Sequence, residues 1–310
     1  MAPSLEAVKV TKKFGSFTAV NDLNLKIQGT KCVGFLGPNG AGKTTTMKMF
    51  TGLISATSGN AFINGVDISK DKKAALASCS TLIETPEIYP SLTPKEALTM
   101  LCEIRGVPAG ERNRRIDEAL AQVKMQEWET KKVGSFSKGM KQRVNVASTL
   151  LSDPEVIILD EPSTGLDPRG MSEVREIVKS LGNRLVFMSS HLLAEVTEVC
   201  QEVALIDHGK LLVYDTIDNV TAKFAGGSGA VKIGFSNPVD LATGTTISNI
   251  GGVTSFSRVN ERQVLVKFDP RIISQDRLFE AVAGLRAGAQ TFEQEMRLED
   301  AYLSLIKETL

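Results

Sequence analysis

The stretch Cys32-Val33-Gly34-Phe35-Leu36-Gly37-Pro38-Asn39-Gly40-Ala41-Gly42-Lys43-Thr44-Thr45 sets the fold. A compact apolar run feeds a glycine-rich loop, and residues 44–51 behind the loop read as a helix. In a strand–loop–helix unit the glycines let successive backbone N–H groups turn inward around an anion, and the helix N-terminus adds its dipole. The spacing Gly37-x4-Gly42-Lys43-Thr44 is that of a phosphate-binding loop. In such a loop Lys43 reaches the β- and γ-phosphates of a nucleotide and Thr44 offers a hydroxyl to Mg2+. Gly37, Pro38, Asn39, Gly40, Ala41, Gly42 and Thr45 complete the cradle.

Downstream, short buried runs alternate with helical patterns from 137 to 213. A helix through Val144, Ala147 and Leu151 precedes a strand Val156–Leu159, a helix near 171–181 precedes a strand Leu185–Met188, and residues 203–213 read as a hairpin. That alternation implies an α/β fold with a parallel sheet covered on both faces. Upstream, the first thirty residues alternate loosely, as short antiparallel strands do. Residues 91–134 turn helical, with Thr93-Pro94-Lys95-Glu96 as N-cap, first-turn proline and capping-box glutamate, and with Ile116, Leu120 and Val123 on one face of a second helix. Ala225–Gly229 is the most linker-like segment. Beyond it the texture changes to alternating strands, Val231–Phe235 and Val264–Phe268, then two short helices. The expected domains are 1–222, with a helical subdomain at about 91–150, and a small α+β domain at 223–310.

Composition narrows the function. The 310 residues carry 36 Lys+Arg against 36 Asp+Glu, a balance that argues against a nucleic-acid partner. With 42% hydrophobic and 23% charged residues the chain is an ordinary globular one. Its apolar runs stop far short of the roughly 18 residues a membrane span needs. The N-terminus has neither a basic start nor an apolar stretch of signal length, so a cytoplasmic location is expected. Cys32, Cys79, Cys102 and Cys200 have no metal or redox spacing and read as reduced packing residues.

A second chemical element is Val156-Ile-Ile-Leu159-Asp160-Glu161, two carboxylates at the end of a buried strand, where open α/β sheets gather ligand groups. Asp160 can hold Mg2+ through water while Glu161 orients or deprotonates the attacking water. Loop and carboxylates together fit kinases, GTPases, helicase-type motors and transport ATPases alike. The lack of an Asn-Lys-x-Asp run counts against a GTPase. The discriminating element is Phe136-Ser137-Lys138-Gly139-Met140-Lys141-Gln142-Arg143, one helix before the acidic strand.

Over about residues 5–222 the sequence resembles the nucleotide-binding subunit of ATP-binding-cassette transporters: phosphate loop, signature at Ser137–Gln142, acidic strand with Leu159–Pro168, and Ser190-His191 follow in the family's order. The resemblance implies a phosphate-loop NTPase core with antiparallel β and helical subdomains that hydrolyses MgATP. It implies a head-to-tail pair, with the same chain or a close relative, in which Ser137 and Gly139 of one protomer close on the nucleotide held by the other. It also implies an integral membrane permease as partner, with this chain peripheral on the cytoplasmic face of the cell membrane. His191 takes the position of the family's γ-phosphate-sensing histidine, and Phe14 that of the aromatic under adenine. Three positions depart from the pattern. Lys138 replaces the glycine usual at the signature's second position, directly after Ser137, Met140 its usual glutamine, and Glu84 a glutamine that touches Mg2+. Glu84 joins Thr44 and Asp160 as an expected metal ligand, since a carboxylate still binds Mg2+ through oxygen. Pro86–Pro90 offers apolar and aromatic side chains to a partner's helix. The C-terminal residues, Arg297–Leu305 above all, resemble the extension of drug-, antibiotic- or polysaccharide-export cassettes. The competing readings are an ATPase of this type acting on a non-membrane partner such as the ribosome, and a non-catalytic nucleotide sensor.

Overall fold

The computed structural model describes residues 2–84, 86–224, 229–269, 271–285, 287–294 and 302. The chain divides into two compact units, Met1–Thr216 and Ile217–Leu310.

In the first unit, β1 (Ser4–Phe14) and β2 (Phe17–Gln28) form an antiparallel hairpin with a shifted register between Ala7 and Val10. The short strands expected here are thus 11 and 12 residues long. A bulge lets such strands bend without breaking the ladder. After β3 (Lys31–Leu36) and α1 (Lys43–Phe50), β4 (Ser58–Ile63) and β5 (Val66–Asp67) extend that sheet in the order β2-β1-β4-β5. Then come α2 (Lys72–Leu76), β6 (Cys79–Leu82), and the helices α3 (Pro94–Ile104), α4 (Ala109–Gln122) and α5 (Lys138–Leu150). The remaining elements are β7 (Val156–Leu159), α6 (Pro168–Ser180), β8 (Leu185–Ser190), α7 (Leu193–Val199), β9 (Glu202–Asp207) and β10 (Lys210–Thr216).

The second sheet runs β10-β9-β3-β8-β7-β6, parallel from β9 to β6 with β10 antiparallel at its edge. Every residue of β7 and β8 is buried, as a parallel sheet covered on both faces requires. The β9–β10 turn is His208-Gly209 with φ of 44° and 77°, the left-handed pair a two-residue hairpin demands. Phe35 and Phe50 pack on Phe187, with ring centroids at 5.2 and 5.9 Å, and so tie the strand before the phosphate loop and the helix after it to β8. The capping box forms as expected: Glu96 N–H donates to Thr93 Oγ1 at 3.2 Å, and Thr93 N–H to Glu96 Oε2 at 2.8 Å.

The second unit holds α8 (Ile217–Phe224), β11 (Gly229–Phe235), α9 (Leu241–Ser248), β12 (Val253–Asn260), β13 (Gln263–Phe268), α10 (Gln275–Gly284) and β14 (Ala289–Gln294). Its antiparallel sheet, β12-β13-β11-β14, buries Val231, Ile233, Val264 and Val266 together with Ile247 of α9 and Leu278 and Val282 of α10. Residues 217–222, expected with the first domain, open this unit as part of α8. Of the expected linker, 225–228 lies outside the described residues, and Gly229 is a strand residue against which Phe268 packs: a Cβ there would stand 2.2 Å from the ring. Arg297–Leu305 lies outside the described residues except for Tyr302. No helix among the described residues is long and apolar enough to cross a membrane.

Candidate nucleotide-binding and hydrolysis site

Three adjacent central strands, β3, β8 and β7, end side by side, and each delivers functional residues at its carboxyl end. From β3 comes the loop Gly37–Gly42. Its conformation is forced by close backbone approaches: a Cβ at Gly37 would lie 2.2 Å from Ile206 O, and one at Gly42 (φ 103°) 2.5 Å from Ala19 O. Gly42 N-caps α1 without a side-chain partner, so the helix start presents its own N–H groups to the loop. Pro38, Asn39 and Gly40 form the exposed lip, and Thr44 and Thr45 are half-buried on the first turn. Lys43 is 5% exposed; its ammonium donates to Gly37 O (2.8 Å) and Pro38 O (3.0 Å) and lies 3.4 Å from Glu161 Oε1.

β7 delivers Asp160, which is buried, and Glu161, at φ 45°. The Glu161 carboxylate gathers three partners: Lys43, the Thr164 hydroxyl (2.7 Å to Oε2) and His191 Nδ1 (3.0 Å to Oε2). Burial pushes this carboxyl up, but Thr164, Lys43 and His191 together outweigh it and hold its pKa below the ordinary glutamate value. An ionised carboxylate beside the phosphate loop is the form a base needs. β8 delivers His191, the first residue past the strand. Ser190 Oγ donates to buried Glu195 on α7 (2.6 Å) and accepts from Leu192 N–H (3.0 Å), so the main chain on both sides of His191 is tied down.

Phe14 is half-exposed at the β1–β2 turn, with the Lys12 ammonium 5.0 Å from its ring centroid. Its cross-strand partner Phe17, 62% exposed, shares its face. Glu84 departs from the expected arrangement: its side chain is 68% exposed and pairs with Lys48 Nζ of α1 at 2.5 Å, one turn beyond Thr44. Thr44 and Asp160 fit Mg2+ well, since that ion is held by one or two protein oxygens together with substrate phosphates and water. Among the described residues no group of three or more His, Cys, Asp or Glu offers an all-protein cage.

Ser137 N-caps α5, its Oγ accepting from Met140 N–H at 3.2 Å, and Lys138 is exposed. A Cβ on Gly139 would meet nothing closer than 3.5 Å. Gln142, buried behind them, donates to Pro162 O (2.7 Å) and locks the signature helix to the turn after Glu161. A crevice of about 410 Å3 opens between Pro86–Pro90, α5 and Thr164–Leu166, and Asn145 Nδ2 spans to Pro86 O at 3.2 Å on one wall. Tyr89, together with Met100 and Ile104 of α3, is exposed. Phe17, Gln142, Thr164 and the serines of β8 were absent from the sequence-based site. Thr164 and Gln142 stand inside recognised motifs, and Phe17 follows from the Gly15-Ser16 turn, whereas the partners of Ser189, Asp160 and Glu161, come from the end of β7.

A parallel sheet whose phosphate loop and acidic strand end converge on one carboxylate defines a phosphate-loop NTPase. Within that class the chain belongs to the ABC transporter family, whose model matches residues 20–164. The bacitracin transport ATP-binding protein BcrA of Bacillus licheniformis is 42% identical over 215 residues, covering 68% of this chain and 69% of BcrA. The linearmycin resistance ATP-binding protein LnrL of Bacillus subtilis is 30% identical over 310 residues, 99% of each chain. A solved structure titled as the ATP-binding subunit of an ABC transporter superposes with a TM-score of 0.64 at 27% identity, over 71% of this chain and 92% of the other. The chain is an ATP-binding and ATP-hydrolysing subunit of an ABC transporter, a kind of subunit that pairs and works with membrane permease components.

Proposed function

We propose that this chain drives an antibiotic exporter as one half of a head-to-tail pair on the cytoplasmic face of the membrane. The observation that carries the mechanism is the convergence of Lys43, Thr164 and His191 on Glu161. Residues 1–216 act as the nucleotide-binding domain and the second unit as an accessory domain. Lys43 and the main-chain N–H groups of Gly37 and Asn39–Thr45 hold the triphosphate, and Phe14 stacks on the base. Thr44 and Asp160 hold Mg2+, which when bound neutralises charge developing on the phosphates. Because Lys43 is shared between its loop carbonyls and Glu161, a triphosphate that draws the ammonium away frees one carboxylate oxygen to take a proton from water. His191 keeps the other oxygen oriented.

Ser137 and Gly139 are assigned to the partner's nucleotide. Gly139 supports this because the protomer's own packing does not require a glycine there. Glu84, turned to Lys48, is assigned to relay nucleotide occupancy to the permease, which docks around Pro86–Pro90 and the exposed face of α3. Export of an antibiotic is supported by the named roles of BcrA and LnrL, the latter related along its full length.

Glu161→Gln tests the mechanism. Turnover falls by at least about 100-fold, as loss of a general base does, while ATP binding persists and a nucleotide-bound dimer accumulates in size-exclusion light scattering. Wild-type turnover would remove the base assignment. Stimulation of ATPase activity by a co-purified, reconstituted permease tests the transporter role.

A further inference from the structure

We propose that Ser189 is a positioning residue for hydrolysis: its buried hydroxyl joins the Asp160 carboxylate to the main chain of Glu161 and so fixes the metal-side acid and the base relative to each other. The proposal rests on the roles given above to Asp160 and Glu161. Ser189 lies on β8, two residues before His191, and is fully buried. Its oxygen lies 2.8 Å from Glu161 N and 2.6 Å from Asp160 Oδ1.

Donor and acceptor roles are forced. A backbone N–H only donates, so Ser189 Oγ accepts from Glu161, and its single proton must then point at Asp160, whose carboxylate accepts. One side chain thus supplies two requirements. It pins one oxygen of the buried Asp160 carboxylate, leaving the other to serve a metal. It also holds the N–H of Glu161, the residue whose left-handed φ of 45° turns its side chain toward Lys43 and His191. Non-glycine residues rarely hold such a φ without an external restraint. Since Ser189 and His191 leave the same strand end, the bond also sets how far the histidine stands from Glu161. Groups that orient a metal's ligand commonly change metal affinity or activity by 10- to 100-fold when removed.

The test is Ser189→Ala in the full chain. Affinity for a fluorescent ATP analogue in EDTA stays at the wild-type value. Mn2+ binding to the nucleotide-loaded protein, followed by electron paramagnetic resonance, weakens roughly tenfold, and kcat drops roughly tenfold with KM for ATP unchanged. Ser189→Thr, which keeps the hydroxyl, restores both to within about threefold. Wild-type Mn2+ affinity and kcat in Ser189→Ala would overturn the proposal, as would a parallel loss of metal-free nucleotide affinity, which marks a merely structural residue. If the alanine variant lacks a cooperative melt, Ser189→Cys carries the test, because a thiol is a weak donor and acceptor: the same Mn2+ and kcat losses are expected, and wild-type values overturn the proposal. Glu161→Gln and Asp160→Asn run beside it. If they lose turnover and Mn2+ affinity respectively while Ser189→Ala is normal, only the Ser189 role fails. If they retain both, the underlying assignment fails.

Discussion

At the scale of single residues, Lys43 is the most constrained cation in the site: buried, bonded to two carbonyls of its own loop and 3.4 Å from a carboxylate. A buried ammonium is held only by such partners. Lys43→Ala is therefore expected to cost nucleotide affinity itself, unlike Glu161→Gln, and titration with a fluorescent ATP analogue separates the two. Glu84 sits at the other extreme. Its pair with Lys48 is short, but the carboxylate is 68% exposed, and exposed pairs contribute about 0–1 kcal/mol. Glu84→Gln is expected to leave the thermal midpoint within a few degrees, to keep basal hydrolysis, and to alter only permease-stimulated hydrolysis. A large fall in basal kcat would instead place Glu84 on the metal. Lys43, Thr44, Asp160 and Glu161 were legible because their chemistry is local: a loop and a strand end each need only neighbouring residues. Ser189 was not legible, since a serine in Met188-Ser-Ser-His191 looks like any strand-end polar residue until β7 is placed beside it.

At the scale of elements, the same phenylalanines that fill the core position the site. Phe187 of β8 receives Phe35 from β3 and Phe50 from α1, all three fully buried. Phe187→Ala is expected to cost about 3–5 kcal/mol through the cavity it leaves, and to loosen the phosphate loop, read as weakened nucleotide binding well below the melting temperature. The α3 capping box offers a milder case, with Thr93→Ala costing about 1 kcal/mol in chemical denaturation. Its Glu96 carboxyl is held below the ordinary value chiefly by the Thr93 N–H, with Lys132 helping. Its stabilising contribution is therefore present above the unfolded glutamate pKa and lost as pH falls through the lower folded value. Glu96→Gln removes that acid-side dependence. Helix α3, the strands β7 and β8 and the β9–β10 hairpin announced themselves by caps, apolar runs and turn residues. The stretch from β4 to β6 did not: its strands are two to six residues long and α2 only five, too short for periodicity to register.

At the scale of the whole molecule, the nucleotide contacts assigned to Ser137 and Gly139 belong to a pair of protomers. Ser137 is exposed at the N-cap of α5, and aspartate caps a helix as well as serine does, so Ser137→Asp adds a carboxylate without breaking the protomer's packing. Placed opposite a partner's phosphates, that charge is repelled. The double variant Glu161→Gln, Ser137→Asp is expected to bind MgATP as a monomer where Glu161→Gln alone dimerises, with both melting alike, and a dimer in light scattering would refute the trans assignment. The sequence by itself determined the phosphate loop, the acidic strand end, the signature helix and their order, because each is a local pattern of residue types written within a dozen positions. Only the tertiary structure decided that Glu161 is shared by Lys43 and His191, that Ser189 ties the Asp160 carboxylate to the Glu161 main chain, and that Glu84 turns to Lys48. These contacts join strands and helices far apart in the chain, and their geometry exists only once the sheet has set β3, β8 and β7 side by side.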